Sequence, residues 1–157
     1  MKAIDFELIL YEFIEVCKYA NVCLSFKEII CEYLSAGSDH ILTSLPSKSM
    51  AVYIFMDAKC ELCYKVGKVG PKSQARYRNH HYLAKSSKSN LANSLLIDPN
   101  FMNNLDVHQD VGNWIRENTT RINIVLPREQ GMFTLNLLEA FMQCRLNPIY
   151  EGYKSQR

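Results

Sequence analysis

Phe6, Ile9, Leu10, Phe13, Val16 and Cys17 recur at three- and four-residue spacing, the period of one face of a helix. A second apolar set, Phe26, Ile29, Ile30, Tyr33 and Leu34, keeps the same period. It opens on Ser25 and Glu28, spaced as a capping box, and stops at Ala36-Gly37, so residues 1–37 read as a helical hairpin. Residues 38–49, with four serines and Pro46, read as a linker. The pattern then changes. Residues 51–56 and 61–66 are short runs rich in β-branched and aromatic side chains around the polar turn 57–60, which predicts a β-hairpin closed by Gly67. After Gly70-Pro71, Ser73 can cap a helix carrying Arg76, Tyr77, His80 and Leu83 on toward a serine- and lysine-rich loop at 85–89. Short helices around 91–97 and 111–117, an alternating strand at 121–126, and a long apolar helix from Gly131 to Leu146 complete the chain. The expected class is α/β of the α+β type. A small antiparallel sheet in β-β-α…β-α order is flanked by helices over 50–157, behind the N-terminal helical hairpin.

Length and composition narrow this picture. At 157 residues the chain suits one domain with an appendage, and 48% hydrophobic with 22% charged residues predicts a soluble protein with a real core. No run approaches the roughly 20 uncharged apolar residues of a membrane span, so a cytoplasmic protein with no membrane partner is expected. In that setting the six cysteines read as reduced and mostly buried. The formal charge of +2 says little, but its distribution says more. Residues 1–48 hold four basic against seven acidic side chains, whereas 59–88 hold eight basic against Glu61 alone. Such a block suits a phosphate-binding surface, although a solvated face is the commoner meaning.

Within the long apolar helix, Glu139 is the one charged residue between Glu129 and Arg145. A carboxylate there needs a partner, either a divalent cation, Arg76, or an ordinary helix-to-helix ion pair. Cys60 and Cys63 have the spacing of a zinc or redox pair, but no second cysteine pair accompanies them and they span a hairpin turn.

The motifs Ala51-Val52-Tyr53, Lys65-Val66-Gly67, Arg76-Tyr-Arg-Asn-His80 and Leu137-Leu-Glu-Ala-Phe141 stand in order over residues 50 to about 150. Together they resemble the GIY-YIG nuclease family, in which two paired strands carry tyrosines, the next helix an arginine, and a later helix a metal-binding glutamate. Two positions depart from the family: Ala51 replaces the first glycine, and Lys65 stands where the second tyrosine falls if Gly67 is the anchor. Strand alternation places Tyr64 with Leu62 and Val66 in the core and turns Lys65 toward the site, the alternative being a solvated lysine. The resemblance implies a metal-dependent endonuclease hydrolysing DNA phosphodiester bonds with one Mg2+ or Mn2+ on Glu139. Tyr53 and Lys65 would activate water, Arg76 would bind the phosphate, and His80, one helical turn away, would relay a proton. Lys68, Lys72, Arg78, Lys85 and Lys88 would hold flanking phosphates, and Asn147 corresponds loosely to a late family asparagine. Read without the family, Tyr53 is a core aromatic, His80 and His81 are surface histidines, and Asn147 stops a helix before Pro148. RNA as substrate, a homodimer, a non-catalytic nucleic-acid-binding module and a protein-interaction adaptor all stay open.

Overall fold

The structure, a computed structural model, describes residues 4–38, 40–41, 44–86, 90–102 and 110–150. In chain order the elements are α1 (Phe6–Tyr19), β1 (Ile30–Leu34), β2 (Ser49–Asp57), β3 (Cys63–Val69), α2 (Gln74–Arg78), α3 (Leu91–Leu96), α4 (Pro99–Met102), α5 (Val111–Asn118), β4 (Thr119–Pro127) and α6 (Gly131–Leu146). The four strands form one antiparallel sheet in the order β1-β4-β2-β3. The mixed class and the β-β-α…β-α order expected from the sequence are both present.

The N-terminal hairpin is corrected. The capping box at Ser25 is real, with Glu28 accepting from the Ser25 backbone at 2.8 Å, but it closes one 3-10 turn. The chain then extends as β1, pairing Ile30 with Val125 and Leu34 with Arg121. The reason lies in β4, whose first eight residues are all buried and whose second edge would otherwise carry unpaired N–H and C=O groups. Ile30, Cys31 and Tyr33 suit a strand as well as a helix, so a tertiary demand decides. Nor does α1 form an appendage: Phe6, Leu10, Phe13 and Cys17 share one core with Ile54, Ile124, Leu138 and Met142.

That core fills the sheet face covered by α1 and α6. The opposite face packs Tyr53, Phe55, Tyr77, Tyr82, Leu91, Leu95 and Ile115 beneath α2, α3 and α5. Strands β2 and β4 are buried on both faces, which explains their near-continuous apolar runs. The β2–β3 turn is built by Asp57, whose carboxylate accepts from the backbone of Glu61 at 2.7 Å and Leu62 at 2.8 Å. Part of the expected linker belongs to the core as well, since Leu45 and His40 are buried and His40 contacts the Tyr82 hydroxyl at 3.1 Å.

Candidate functional site

Antiparallel register sets Tyr53 directly opposite Gly67, and Phe55 opposite Lys65. The Tyr53 phenol lies across Gly67 so closely that a β-carbon there would stand 2.2 Å from its oxygen. Gly67 therefore supplies space, and its φ is not positive. The Tyr53 ring packs 4.1 Å from the His81 ring and 6.1 Å from Phe55, centroid to centroid, leaving Tyr53 1% exposed.

A bulge between Phe55 and Met56 decides the neighbouring positions. Cys63 pairs with Met56 and joins the α1–α6 core, while Lys65 shares the Tyr53 face. Tyr64 falls in the bulge between them, half-buried against Trp114 and Tyr150. The expected grouping of Tyr64 with Leu62 and Val66 is thus corrected, because a bulge breaks strict alternation. Lys65 does turn inward with Gly67, but it is 6% exposed and donates to the Tyr150 carbonyl at 2.9 Å. It is neither a solvated lysine nor open to substrate in this conformation.

The sequence reading missed the centre of this face. Arg121 is fully buried and spends its guanidinium on the Asn123 side-chain oxygen at 3.0 Å, the Tyr82 hydroxyl at 3.3 Å and the Tyr77 carbonyl at 2.7 Å. It also lies over the Phe55 and Tyr77 rings at 5.2 and 5.4 Å. Glu32 of β1 answers its charge at one remove, accepting from the Asn123 amide at 3.3 Å and from the Tyr77 hydroxyl. Burial, with Glu32 beside it, holds the Tyr77 phenol well above the usual range. The available signal was alternation, since Arg121 and Asn123 fall on one face of an otherwise apolar strand.

His81, expected on the surface, is buried against Tyr53 and Phe55. Neither ring nitrogen has a hydrogen-bond partner among the described residues. Burial first, then the positive charge of Arg121, Lys65, Arg76 and His80, pushes its pKa well below the ordinary value, so the ring is neutral. The expected helix over 73–83 shortens to α2 with Asn79 at its end, so His80 lies in the following turn and shares no helical face with Arg76. Arg76 is exposed and His80 half-buried, yet both reach His81 electrostatically.

Glu139 lies elsewhere. Its partner is Lys68, not Arg76 and not a neighbouring helix. Lys68 pairs with Val52, on the α1–α6 face, so the Lys68–Glu139 pair and the Tyr53–Lys65–His81 group sit on opposite sides of the sheet. Lys68, expected to hold a flanking phosphate, forms an ion pair with Glu139, which is 18% exposed. Among the described residues no three His, Cys, Asp or Glu side chains gather as a metal cluster. Lys72, Arg78 and Lys85 are exposed, and Lys88 lies outside the described residues. Asn147 takes the left-handed conformation that ends α6, its N–H donating to Gln143 at 2.9 Å. The cysteines are free, with only Cys17 and Cys63 buried, so the expectation of mostly buried thiols is too strong. No described helix is long and apolar enough to cross a membrane. Compared with protein-family models, curated proteins and solved structures, the chain gives no match.

Proposed function

We propose that this chain is a metal-dependent endonuclease acting on DNA, built on a GIY-YIG-like hairpin. The observation that carries the reading is Glu139: a sheltered carboxylate in an apolar helix, set against a lysine of the basic hairpin strand. Its donor chemistry fits Mg2+, which commonly takes one or two carboxylates and completes its shell with water and substrate phosphate. When bound there, the metal would supply charge stabilisation to the phosphate and the leaving oxygen. Lys68 serves as the counter-charge that holds the Glu139 side chain in place. Arg76, exposed on α2 over the other face of the sheet from Glu139, grips a flanking phosphodiester through its planar fork. His80 is next to it in the turn and can donate a hydrogen bond to the same phosphate.

A second reading has its own support: Tyr53 and Lys65 are 1% and 6% exposed, which favours a nucleic-acid-binding module in which these positions only hold the hairpin together. Incubation of supercoiled plasmid with Mg2+ or Mn2+ separates the two. The endonuclease reading expects nicking by the parent, loss of nicking with retained gel shift for Glu139→Gln, near-loss for Arg76→Lys, and almost normal cutting for Arg78→Lys. A parent that shifts DNA without cutting it under either metal refutes the enzyme and leaves the binding module.

A further inference from the structure

On the α1–α6 side of the molecule, a cleft of about 410 Å3 opens between the β3–α2 turn and the start of α6, lined by Gly70, Pro71, Lys72, Ser73, Arg128 and Met132 among others. None of its described lining residues is acidic, although Glu129 follows Arg128 in sequence. The Arg128 backbone N–H donates to the Lys48 carbonyl at 2.8 Å, so the backbone of a third basic residue adjoins the cleft. The side chains of Lys48, Lys72 and Arg128 have no hydrogen-bond or ion-pair partner among the described residues. One residue beyond Met132, Phe133 is 89% exposed, the barest phenylalanine among the described residues. Unpaired cations in a cleft, with an exposed aromatic ring one residue along α6 from its lining, are the two parts of a single-strand binding surface: cations follow the phosphates, and the ring offers a face to an unstacked base.

We propose that this cleft binds the nucleic-acid strand next to the cut, with an unpaired base on Phe133 and its phosphates on Lys72 and Arg128, so that the substrate is DNA carrying a single-stranded segment. This rests on the nucleic-acid reading above and adds the substrate class. Duplex cannot serve equally, because bases inside a duplex already stack on each other and offer no free face to a side chain.

The test is fluorescence anisotropy in EDTA, where no cutting occurs, with labelled oligo(dT) and a blunt duplex of equal length over a salt series. Phe133→Ala should weaken oligo(dT) binding about tenfold and leave duplex binding within about twofold. Phe133→Trp should retain parental affinity. Lys72→Ala with Arg128→Ala should lower the slope of log affinity against log salt by about 1.4, the value for two phosphate contacts on a single strand. Equal effects of Phe133→Ala on both probes would overturn the proposal, as would a parent that does not bind oligo(dT). So would unchanged binding in Phe133→Ala accompanied by conversion of a dimer to a monomer, which would make the face a contact between copies. Cleavage is scored separately with Mg2+. A non-cutting parent whose oligo(dT) binding depends on Phe133 keeps this site and removes the endonuclease, whereas a cutting parent indifferent to Phe133 does the reverse.

Discussion

Substituting Gly67 by alanine tests the hairpin at its tightest point. The backbone of Gly67 accommodates any L-residue, so the whole cost comes from contact. The added β-carbon would stand 2.2 Å from the Tyr53 oxygen, 2.5 Å from its ring carbon Cζ and 2.9 Å from Cε2, where about 3.5 Å is comfortable. The ring cannot retreat easily, because His81 packs against it at 4.1 Å and Arg121 lies over it at 5.8 Å. Overpacking in such a place costs about 1–3 kcal/mol, and three atoms in conflict argue for about 3. For a domain of this size that lowers Tm by roughly 6–12 °C. Gly70→Ala is the control, since its β-carbon would meet only Met132 at 3.9 Å, and it should melt within about 2 °C of the parent. Tyr53→Ala is itself costly, at about 3–5 kcal/mol, but adding Gly67→Ala to it should cost less than about 1 kcal/mol because the conflicting ring is gone. The resulting coupling of about 2 kcal/mol is measurable by urea denaturation of the four proteins in the cycle. Equal losses at Gly67 and Gly70, or additive effects in the cycle, would mean that the Tyr53 ring does not lie over residue 67.

Three further outcomes follow from the same geometry. His81 stays neutral when folded but takes up a proton when unfolded, so its contribution is present above about pH 6.5 and is lost as pH falls below it; in urea melts between pH 7 and pH 5, His81→Phe should flatten that loss by up to about 1.4 kcal/mol per pH unit. An unchanged slope would remove His81 from the account. Arg121→Lys should destabilise by on the order of 3 kcal/mol, because one ammonium cannot serve the three acceptors of the guanidinium, and a near-parental Tm would contradict the buried network. Glu139→Gln should cost about 1 kcal/mol or less, since Lys68 can turn to water, and a melt several kcal/mol below the parent would show the pair to be far more sheltered than its exposure indicates.

What sequence alone determined here was local. The hydrophobic period located α1 and α6, alternation and turn chemistry located the β2–β3 hairpin and β4, and the lone carboxylate of α6 announced that Glu139 needed a partner. The hairpin itself was legible but its register was not: strands at 51–56 and 61–66 around a turn at 57–60 would set Tyr53 opposite Tyr64, whereas it faces Gly67. Three things were settled only by tertiary structure. Residues 30–34 became a strand because β4 needed a second neighbour, a demand that no local window contains. Tyr64, Lys65 and Cys63 were sorted by one bulge, which shifts faces without leaving a mark in the residue pattern. The charges were paired across long separations, Lys68 with Glu139 and Arg121 with Asn123, Tyr77 and Tyr82, and side-chain partners so far apart in sequence are chosen by how elements pack and not by period. For the same reason His81, one residue past a histidine of similar local character, was drawn into the core by Tyr53 and Phe55, while His80 stayed half-buried in the turn.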